Sequence, residues 1–320
     1  MAGTDWRNQT TVTELILLGF GNLPDLQIPL FLMFLVIYMA TMAGNTLIAV
    51  LVVTDQHLHT PMYFFLGNLS YLEICYTSTF LPRLLASLLT GDRTISVSGC
   101  ITQLYFSGSL AATECYLLAT MSYDRYLAIC KPLHYSTLMN NRFCLQLAAG
   151  SWLNGSLATT IFILFISQLI FCGPNEIDHF YCDPILLMEL SCSDTHLSIF
   201  VNLILVSVFT LPPFLLTMTS YVCISATILR IPSTTGRKKA FSTCSSHLTV
   251  VTIFYGTIII VYMLLKRDTL RDLKKVLSLC FTVLTPLVNP LIYSLRNREV
   301  KEALSKAVSK CGFHKNMQRL

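Results

Sequence analysis

Charged residues are scarce in this 320-residue chain. Asp, Glu, Lys and Arg together make up 12% of it, whereas apolar residues make up 53% and the mean hydropathy is +0.61. A soluble globular domain carries about 25% charged residues, roughly twice that fraction. The composition therefore argues against a soluble globular domain and indicates a membrane protein.

Short motifs of common catalytic chemistry are also missing. The chain contains no HExxH, GxSxG, CxxC or P-loop pattern, so we expect no enzyme activity and no organic cofactor. It shows no internal repeat and only two acids within its apolar runs, whereas transporters and channels typically have repeated halves or rings of charge. An enzyme and a transporter are therefore the less favoured alternatives.

Seven long apolar runs dominate what is present. Five contain no Asp, Glu, Lys or Arg, and the other two contain one carboxylate each, Glu73 and Glu114. A helix of about 20 residues spans a bilayer, so every run is long enough. The runs are 26–53, 61–81, 97–123, 143–170, 197–229, 240–265 and 276–295. The sequence predicts an all-α membrane protein, a bundle of seven transmembrane helices.

The distribution of basic residues predicts the orientation. With the N-terminus outside, fourteen of the 22 Lys and Arg residues fall on the cytoplasmic side, as the positive-inside rule favours. Segment 266–275 carries five bases on the outer side, and we interpret it as a solvated loop. We expect an extracellular tail over 1–25, the membrane domain over 26–295 and a cytoplasmic segment over 296–320.

The predicted tail holds one modification motif. Asn8-Gln9-Thr10 is an acceptor for N-glycosylation and agrees with an external N-terminus. The apolar stretch 15–18 is too short for a cleavable signal peptide. We therefore expect the first span to act as the insertion signal.

Topology separates the twelve cysteines. Cys100, Cys172, Cys182 and Cys192 fall on the outer side, where disulfides form. Four cysteines allow three pairings, and the spacing does not choose among them. His179 and Cys182 have a spacing that could also ligate a transition metal, but a disulfide would consume Cys182.

Five ordered segments resemble the signature segments of vertebrate odorant receptors, a branch of the rhodopsin-like G-protein-coupled receptors. The segments are PMYFFLGNLS at 61–70, MSYDRYLAICKPLHY at 121–135, SY at 220–221, KAFSTCSSHL at 239–248 and PLVNPLIYSLRN at 286–297. Their form is similar to the tetrapod-type, or class II, branch. The resemblance implies an odorant receptor that couples to the stimulatory olfactory G protein and raises cyclic AMP, with no nucleic-acid partner.

The resemblance also implies two disulfides and a switch. It pairs Cys100 with Cys182 and Cys172 with Cys192, which would brace a lid, the loop 171–194, at the extracellular side. The residues that it assigns to the switch and to G-protein coupling are Asp124, Arg125, Tyr126, Tyr221, His247, Asn289, Pro290 and Tyr293. Asp124 and Arg125 would form a resting-state pair that opens on activation. The alternative is that the two charges only anchor a helix end at the headgroups.

Two acids inside the predicted spans need an explanation of their own. By resemblance, Glu73 takes the place of the helix-two acid, usually an aspartate, and Glu114 that of a helix-three glutamate. Two carboxylates that face one cavity cannot both stay ionised without a cation or a shared proton. We expect a sodium ion between them. The alternative is a cluster of neutral acids joined by hydrogen bonds.

A ligand pocket is predicted on the extracellular side of the bundle. The segment between Cys100 and Glu114 contains no acid that could bind an amine. Small residues there and apolar or hydroxyl-bearing residues of two later spans suit a small, mostly apolar volatile molecule. The predicted ligand residues are Ser107, Gly108, Ala111, Ala112, Asn202, Val206, Phe209, Tyr255, Ile258, Ile259 and Tyr262. The alternative is that these residues are only packing core.

The C-terminal segment predicts a short eighth helix. Val300, Leu304 and Val308 share one helical face, with Lys and Arg on the other. This pattern is typical of an amphipathic helix that lies at the membrane surface. The whole chain is thus expected in the cell membrane as a multi-pass protein, with lipid, an odorant and a heterotrimeric G protein as partners.

Overall fold

The computed structural model describes residues 12–21, 24–172, 175–259, 271–296 and 298–317. Most of these residues are helical. The helices are α1 (Pro24–Thr54), α2 (Pro61–Thr90), α3 (Val97–Cys130), α4 (Pro132–Leu138), α5 (Asn141–Ile166), α6 (Pro184–Glu189), α7 (His196–Leu229), α8 (Thr234–Ile259), α9 (Arg271–Leu279), α10 (Thr285–Arg296) and α11 (Arg298–Met317). A 3₁₀ turn, Gln56–Leu58, precedes α2, and a π-helical turn, Cys280–Leu284, joins α9 to α10.

The described residues of the predicted spans fall on helices, except at the end of the run 143–170, where α5 ends at Ile166 and residues 167–170 are not helical. Helices α2 and α3 continue beyond their predicted runs, to Thr90 and Cys130. The reason is that a charged side chain ends an apolar run in the sequence without breaking the backbone hydrogen bonds of a helix. The seventh span is formed by α9, the π-helical turn and α10 together. Within the described residues, four helical stretches are long and apolar enough to cross a membrane by themselves, namely Asp25–Thr54, Asn141–Ile166, His196–Leu229 and Lys275–Tyr293.

Local sequence signals set several helix ends. The carboxylate of Asp183 accepts hydrogen bonds from the backbone N–H groups of Ile185 and Leu186, and so caps the start of α6. Gly91 follows the last residue of α2 with a φ of 75°, a left-handed conformation that glycine adopts without strain. Its N–H donates to the carbonyl of Ser87, which closes the last turn of α2.

The described residues form two compact units. The first contains parts of Met1–Val36, Ser78–Thr113 and Trp152–Leu211, and the second contains parts of Ile37–Thr77, Glu114–Ser151 and Pro212–Leu320. The first unit holds all the β-structure among the described residues. The second holds the segments that carry the predicted switch.

A three-stranded sheet lies in the first unit. Strand β1 (Glu14–Leu17) is central and pairs antiparallel with β2 (Thr94–Ser96) and parallel with β3 (Glu176–Ile177). Part of the predicted external tail is therefore a folded strand. The sequence suggested only that the stretch 15–18 was too short for a signal peptide. Its strand pairing depends on partners about 80 and 160 residues away, which no local pattern reveals.

The sheet covers an apolar core that contains one disulfide. Side chains alternate along β1, so Leu15 and Leu17 point inward, as the two-residue period of a strand requires. The other buried members of this core are Cys100, Leu104, Phe162, Ile166, Phe171, Ile177, Cys182, Leu187 and Met188. The chain segments around the Cys100–Cys182 bond thus share one hydrophobic cluster with the N-terminal strand.

In the second unit, α1, α10 and α11 make defined contacts. The side-chain amide of Asn45 donates to the carbonyl oxygens of Thr41 and Pro286, each at 3.0 Å. The second of these bonds ties α1 to α10. Helix α11 contacts the 3₁₀ turn and buries Val300 and Ala303. The predicted eighth helix is therefore present and packs part of its apolar face on the protein, while the side chain of Val308 lies outside the described residues.

Small residues let α3 and α5 approach closely in the first unit. A Cβ atom built on Gly155 of α5 would lie 2.6 Å from the carbonyl oxygen of Ser109 and 2.7 Å from the backbone nitrogen of Thr113. A Cβ atom built on Gly108 of α3 would lie 3.1 Å from the side-chain Cγ2 of Thr159 on α5. Close backbone approach at small residues is a common way to pack membrane helices, since apolar surface alone does not hold them together in lipid.

Replacing Gly155 with alanine is expected to destabilise the protein. The added methyl group meets backbone atoms of a packed helix, which cannot move aside cheaply. Overpacking of this kind costs about 1–3 kcal/mol. We expect a lower midpoint of thermal unfolding in detergent and less protein at the cell surface.

Gly150→Ala is the matched control in the same helix. Among the described residues, and apart from the nearby backbone of its own helix, nothing lies within 4 Å of a Cβ atom at this position. Alanine is also the better helix former by about 1 kcal/mol. The control is expected to be neutral or slightly stabilising. An unchanged midpoint in Gly155→Ala, or equal losses in both variants, would contradict this account of the α3–α5 packing.

Candidate functional site

A buried ion pair lies near the end of α3. Nη2 of Arg125 donates to Oδ2 of Asp124 at 2.7 Å, and Nε of Arg125 donates to the same oxygen at 3.1 Å. The side chain of Asp124 is 0% exposed and that of Arg125 is 15% exposed. The carboxylate of Asp124 compensates the charge of Arg125, as burial requires, because an uncompensated buried charge costs several kcal/mol.

A third residue completes this pair. The hydroxyl of Tyr135 donates to Oδ1 of Asp124 at 2.8 Å, so both carboxylate oxygens of Asp124 are engaged. Tyr135 lies on α4, whose Pro132 occupies the first turn, where proline is tolerated. Sequence reasoning did not select Tyr135, although it is the last residue of the segment 121–135 that carried the family resemblance.

The environment of Tyr135 favours its role as the hydrogen-bond donor to Asp124. Partial burial, and next the charge of Asp124, raise the pKa of the Tyr135 phenol above its ordinary value. The phenol therefore keeps its proton throughout the physiological pH range. It acts as a permanent hydrogen-bond donor that holds Asp124 beside Arg125.

Other predicted switch residues form a second buried contact. The hydroxyl of Tyr221 on α7 and Nδ1 of His247 on α8 share a hydrogen bond of 2.5 Å. His247 Nε2 and the hydroxyl of Tyr293 are buried and have no hydrogen-bond partner among the described residues. Tyr126 is half-buried and stacks on Tyr123, with ring centroids 6.3 Å apart.

The two acids of the membrane helices are both buried. Asn289 of α10 donates its side-chain amide to Oε1 of Glu73 on α2. Among the described residues, Oε2 of Glu73 and Oε1 of Glu114 have no hydrogen-bond partner. The side-chain amide of Asn45 donates to backbone carbonyls of α1 and α10. The described chain contains no group of three or more His, Cys, Asp or Glu residues arranged for a metal.

The lid is cross-linked as the resemblance implied. Cys100 is bonded to Cys182 and Cys172 to Cys192, with Cα–Cα distances of 5.6 and 5.8 Å. Because the first bond uses Cys182, its thiolate is not available to join His179 in a metal site. Buried Gln103 adds a clamp beside the first bond that sequence reasoning missed.

Both ends of the Gln103 amide are used. Its Oε1 accepts a hydrogen bond from the backbone N–H of Cys182 at 2.9 Å, and its Nε2 donates to the carbonyl of Thr79 on α2 at 3.1 Å. Gln103 therefore holds the lid, α2 and α3 together. A buried amide satisfied at both ends is a positioning group.

The predicted ligand residues of the first unit have mixed environments. The hydroxyl of Ser107 donates to the carbonyl of Gln103 at 2.8 Å, within its own helix, and Gly108 faces α5. Val206 on α7 is 52% exposed. The remaining members, Ala111, Ala112, Asn202 and Phe209, are half-buried. Their common role in ligand binding stays a prediction.

The predicted ligand residues of α8 belong to the second unit. Tyr255 is buried, its hydroxyl donates to the carbonyl of Cys115 at 3.4 Å and its ring packs edge-on against Phe214. Ile258 is half-buried. The side chain of Ile259 and all of Tyr262 lie outside the described residues, as does the glycosylation acceptor Asn8.

The fold matches that of a solved membrane protein. The crystal structure of squid rhodopsin aligns with a TM-score of 0.70 and 17% sequence identity, covering 96% of this chain and 89% of that chain. The helices therefore form the seven-helix bundle of the rhodopsin fold. This fold, with charged groups buried among its helices, defines a multi-pass membrane protein of the seven-helix class.

Sequence comparisons identify the family within this class. A family model described as olfactory receptor matches residues 34–311. Human olfactory receptor 6N1 is 49% identical, covering 97% of this chain and 99% of its own length, and human olfactory receptor 11A1 is 50% identical, covering 92% and 94%. Rat olfactory receptor 1f45 is 46% identical, covering 94% and 96%. The chain belongs to the olfactory receptor family, whose members are G-protein-coupled signalling receptors rather than enzymes.

Removing the Tyr135 hydroxyl is expected to raise basal signalling. In Tyr135→Phe, Asp124 loses one of its hydrogen bonds, worth about 1 kcal/mol at a half-buried site. That free energy corresponds to about a fivefold shift of a two-state equilibrium away from the resting arrangement. The measurement is nucleotide exchange on a G protein without agonist, normalised to the amount of receptor at the surface.

Tyr123→Phe is the matched control for this variant. Tyr123 is a half-buried tyrosine close to the same pair, and its ring stacks on Tyr126. The phenylalanine keeps the ring and removes a hydroxyl that does not bond to Asp124. Basal exchange that is equal in Tyr135→Phe and the parent receptor would show that this hydrogen bond does not stabilise the resting state.

Proposed function

We propose that this protein is an odorant receptor that activates the stimulatory olfactory G protein and so raises cyclic AMP. The observation that carries the proposal is the buried set of Asp124, Arg125 and Tyr135 at one end of α3. We infer that this end faces the cytoplasm and that the N-terminus lies outside, since basic residues favour the cytoplasmic side.

The physical basis of the switch is an exchange of partners. Arg125 is held by Asp124 in the present arrangement, and a G protein can offer carbonyl or carboxylate groups in its place. Such an exchange changes the free energy by a few kcal/mol, which is the range in which a ligand can shift a two-state equilibrium. Tyr221, His247 and Tyr293 are the groups that would rearrange next to Arg125.

Pro290 contributes to the same switch. It lies inside α10, where a proline removes one backbone hydrogen bond and loosens the helix. Its ring lies 3.2 Å from a Cβ atom built on Gly44, so α1 leaves room for it. Asn289, the preceding residue, carries the amide that binds Glu73, which couples a movement of α10 to the buried acids.

The ligand that we propose is a small, mostly apolar volatile molecule. The stretch of α3 between Cys100 and Glu114 contains no acid, so no salt bridge to an amine is available there. We propose that the ligand binds on the extracellular side, among the residues of α3, α7 and α8 selected from the sequence. One or two hydrogen bonds would orient it.

A sodium ion is proposed between Glu73 and Glu114. The residues fit a cation, because each acid has a buried oxygen without a partner among the described residues. A cation there would neutralise carboxylates that otherwise repel each other. The hydrogen bond from Asn289 to Glu73 also fits the alternative, a cluster of neutral acids joined by hydrogen bonds.

Replacing Arg125 tests the switch directly. Arg125→Ala is expected to reach the cell surface at near-normal levels and to give no cyclic AMP with an agonist that activates the parent receptor. The matched control is Arg230→Ala, which removes an exposed arginine from the turn after α7 and is expected to signal normally. Normal signalling by Arg125→Ala at normal surface levels would show that Asp124 and Arg125 only anchor the helix end at the membrane surface.

Sodium dependence tests the proposed ion. If a cation joins the acids in the resting state, replacing external sodium with choline at constant ionic strength is expected to raise agonist potency. Glu114→Gln is expected to abolish this difference, because the neutral amide removes one ligand charge. Agonist potency that is the same in sodium and in choline for the parent receptor would leave only the hydrogen-bonded cluster of neutral acids.

A further inference from the structure

A cavity of about 230 Å³ lies in the first unit, and none of the residues selected for odorant binding lines it. The chain segment Leu17–Gly21, which follows β1, forms one side of it. The start of α1, the end of α2 and Arg93 form the rest. No part of the proposed receptor function uses this cavity.

The N-terminal wall of the cavity is firmly built. The ring of Phe20 stacks between those of Phe34 on α1 and Phe180 in the lid, at centroid distances of 5.6 and 5.8 Å. Gly19 and Gly21, on either side, have φ values of 60° and 82°, which only glycine adopts without strain. The N–H of Gly19 also donates to the carbonyl of His179 at 3.0 Å. The cavity is therefore a property of the fold.

The cavity is apolar with a single charge. Five leucines and Phe20 supply its apolar walls, and Gln27, Ser87 and Arg93 supply its polar side chains. Nη2 of Arg93 donates to the carbonyl of Gly21 at 2.8 Å, a contact that does not neutralise the guanidinium. Within the described part of the chain, no carboxylate lies within ion-pair distance of Arg93.

The neighbouring acid is already engaged elsewhere. Oδ1 of Asp92 accepts hydrogen bonds from the backbone N–H and the hydroxyl of Thr94, at 2.9 and 2.8 Å. Oδ2 of Asp92 lies 3.8 Å from Nη2 of Arg83. The hydrogen bond from the Thr94 backbone, and next the other contacts, lower the pKa of Asp92. Asp92 therefore stays ionised and bound to Thr94 and Arg83. Asp92 thus does not neutralise Arg93, which lines the cavity.

We propose that this cavity binds a small carboxylate with an apolar chain. The carboxylate accepts hydrogen bonds from the guanidinium of Arg93, and the apolar chain of the ligand lies among the leucines. The negative charge thus pairs with the positive one, and apolar surface is buried against apolar walls. A volume of about 230 Å³ holds roughly eight water-sized groups at about 30 Å³ each. Hexanoate, with eight non-hydrogen atoms, is the matching probe, and a whole phospholipid is too large.

The bound carboxylate stabilises the folded N-terminal segment. It touches residues 17–21 together with α1 and α2, so a ligand that binds only this arrangement raises stability by mass action. The proposal does not rest on G-protein coupling. Negative results in the signalling experiments would not contradict carboxylate binding at Arg93, because the test below measures binding only.

The test is photolabelling of the full-length receptor in phosphatidylcholine nanodiscs. A diazirine-bearing hexanoate is crosslinked by light, and the labelled peptides are mapped by mass spectrometry. We expect label on peptides that contain residues 17–30 or 84–93, with loss of label when free hexanoate competes. Hexanol, which lacks the charge, is expected to compete about tenfold more weakly, as the loss of a charge-assisted hydrogen bond predicts.

Three variants separate charge from shape. Arg93→Gln keeps a polar side chain that can donate but removes the charge, and is expected to lower labelling about tenfold. Arg93→Lys keeps the charge and is expected to retain most of the label. Leu84→Trp fills the cavity and is expected to abolish labelling, while surface display reports that each variant is folded.

Several results would overturn the proposal. Label confined to other segments would place the carboxylate elsewhere, and full labelling of Arg93→Gln would remove the role of the charge. Undiminished labelling of folded Leu84→Trp would show that the cavity is not the site. If phosphatidylglycerol in the nanodisc protects residues 84–93 while hexanoate does not, the anion at Arg93 is a lipid headgroup and not a free carboxylate.

Discussion

A polar or charged side chain inside an apolar helix has to find its partner within the protein, because the surrounding lipid offers none. The contacts of the second unit follow from this constraint. Asp124 joins α3 to α4 through Tyr135, Glu73 joins α2 to α10 through Asn289, and Tyr221 joins α7 to α8 through His247. The bonds that satisfy these groups thus also hold the helices in one arrangement.

The pairing of buried polar groups in the second unit is incomplete within the described part of the chain. Glu73, Glu114, His247 and Tyr293 each have a buried polar atom without a partner among the described residues. An unmet buried group costs about 1–3 kcal/mol, so water, an ion or a second arrangement that supplies a partner is favoured. A signalling receptor requires two arrangements of similar free energy. In the proposed switch, buried groups that are only partly satisfied would keep the difference between the two free energies small.

The first unit is stabilised by different means, because its loops and tail have no long apolar run of their own. Strand β1 pairs with two distant segments, the Cys100–Cys182 bond lies in the apolar core beneath them, and Gln103 joins the lid to α2. A disulfide limits the freedom of the unfolded chain, whereas the sheet and the amide fix the position of the lid in the folded one. The segment Leu17–Gly21, which follows β1, also forms one wall of the cavity at Arg93.

The sequence by itself determined the membrane class, the positions of the spans and the family, since these depend on runs of apolar residues and on contiguous motifs. It also identified Asp124 and Arg125, which are adjacent in the chain. Only the tertiary structure decided four further features. They are the bond from Tyr135 to Asp124, the contact of Gln103 with the lid, the pairing of β1 as a strand and the backbone contact at Gly155. Each of these roles depends on an atom that lies from 11 to 161 residues away. Hydrogen bonds and close contacts are set by distances of a few ångströms in the folded chain, and no local pattern of residue types encodes which distant groups come within that range.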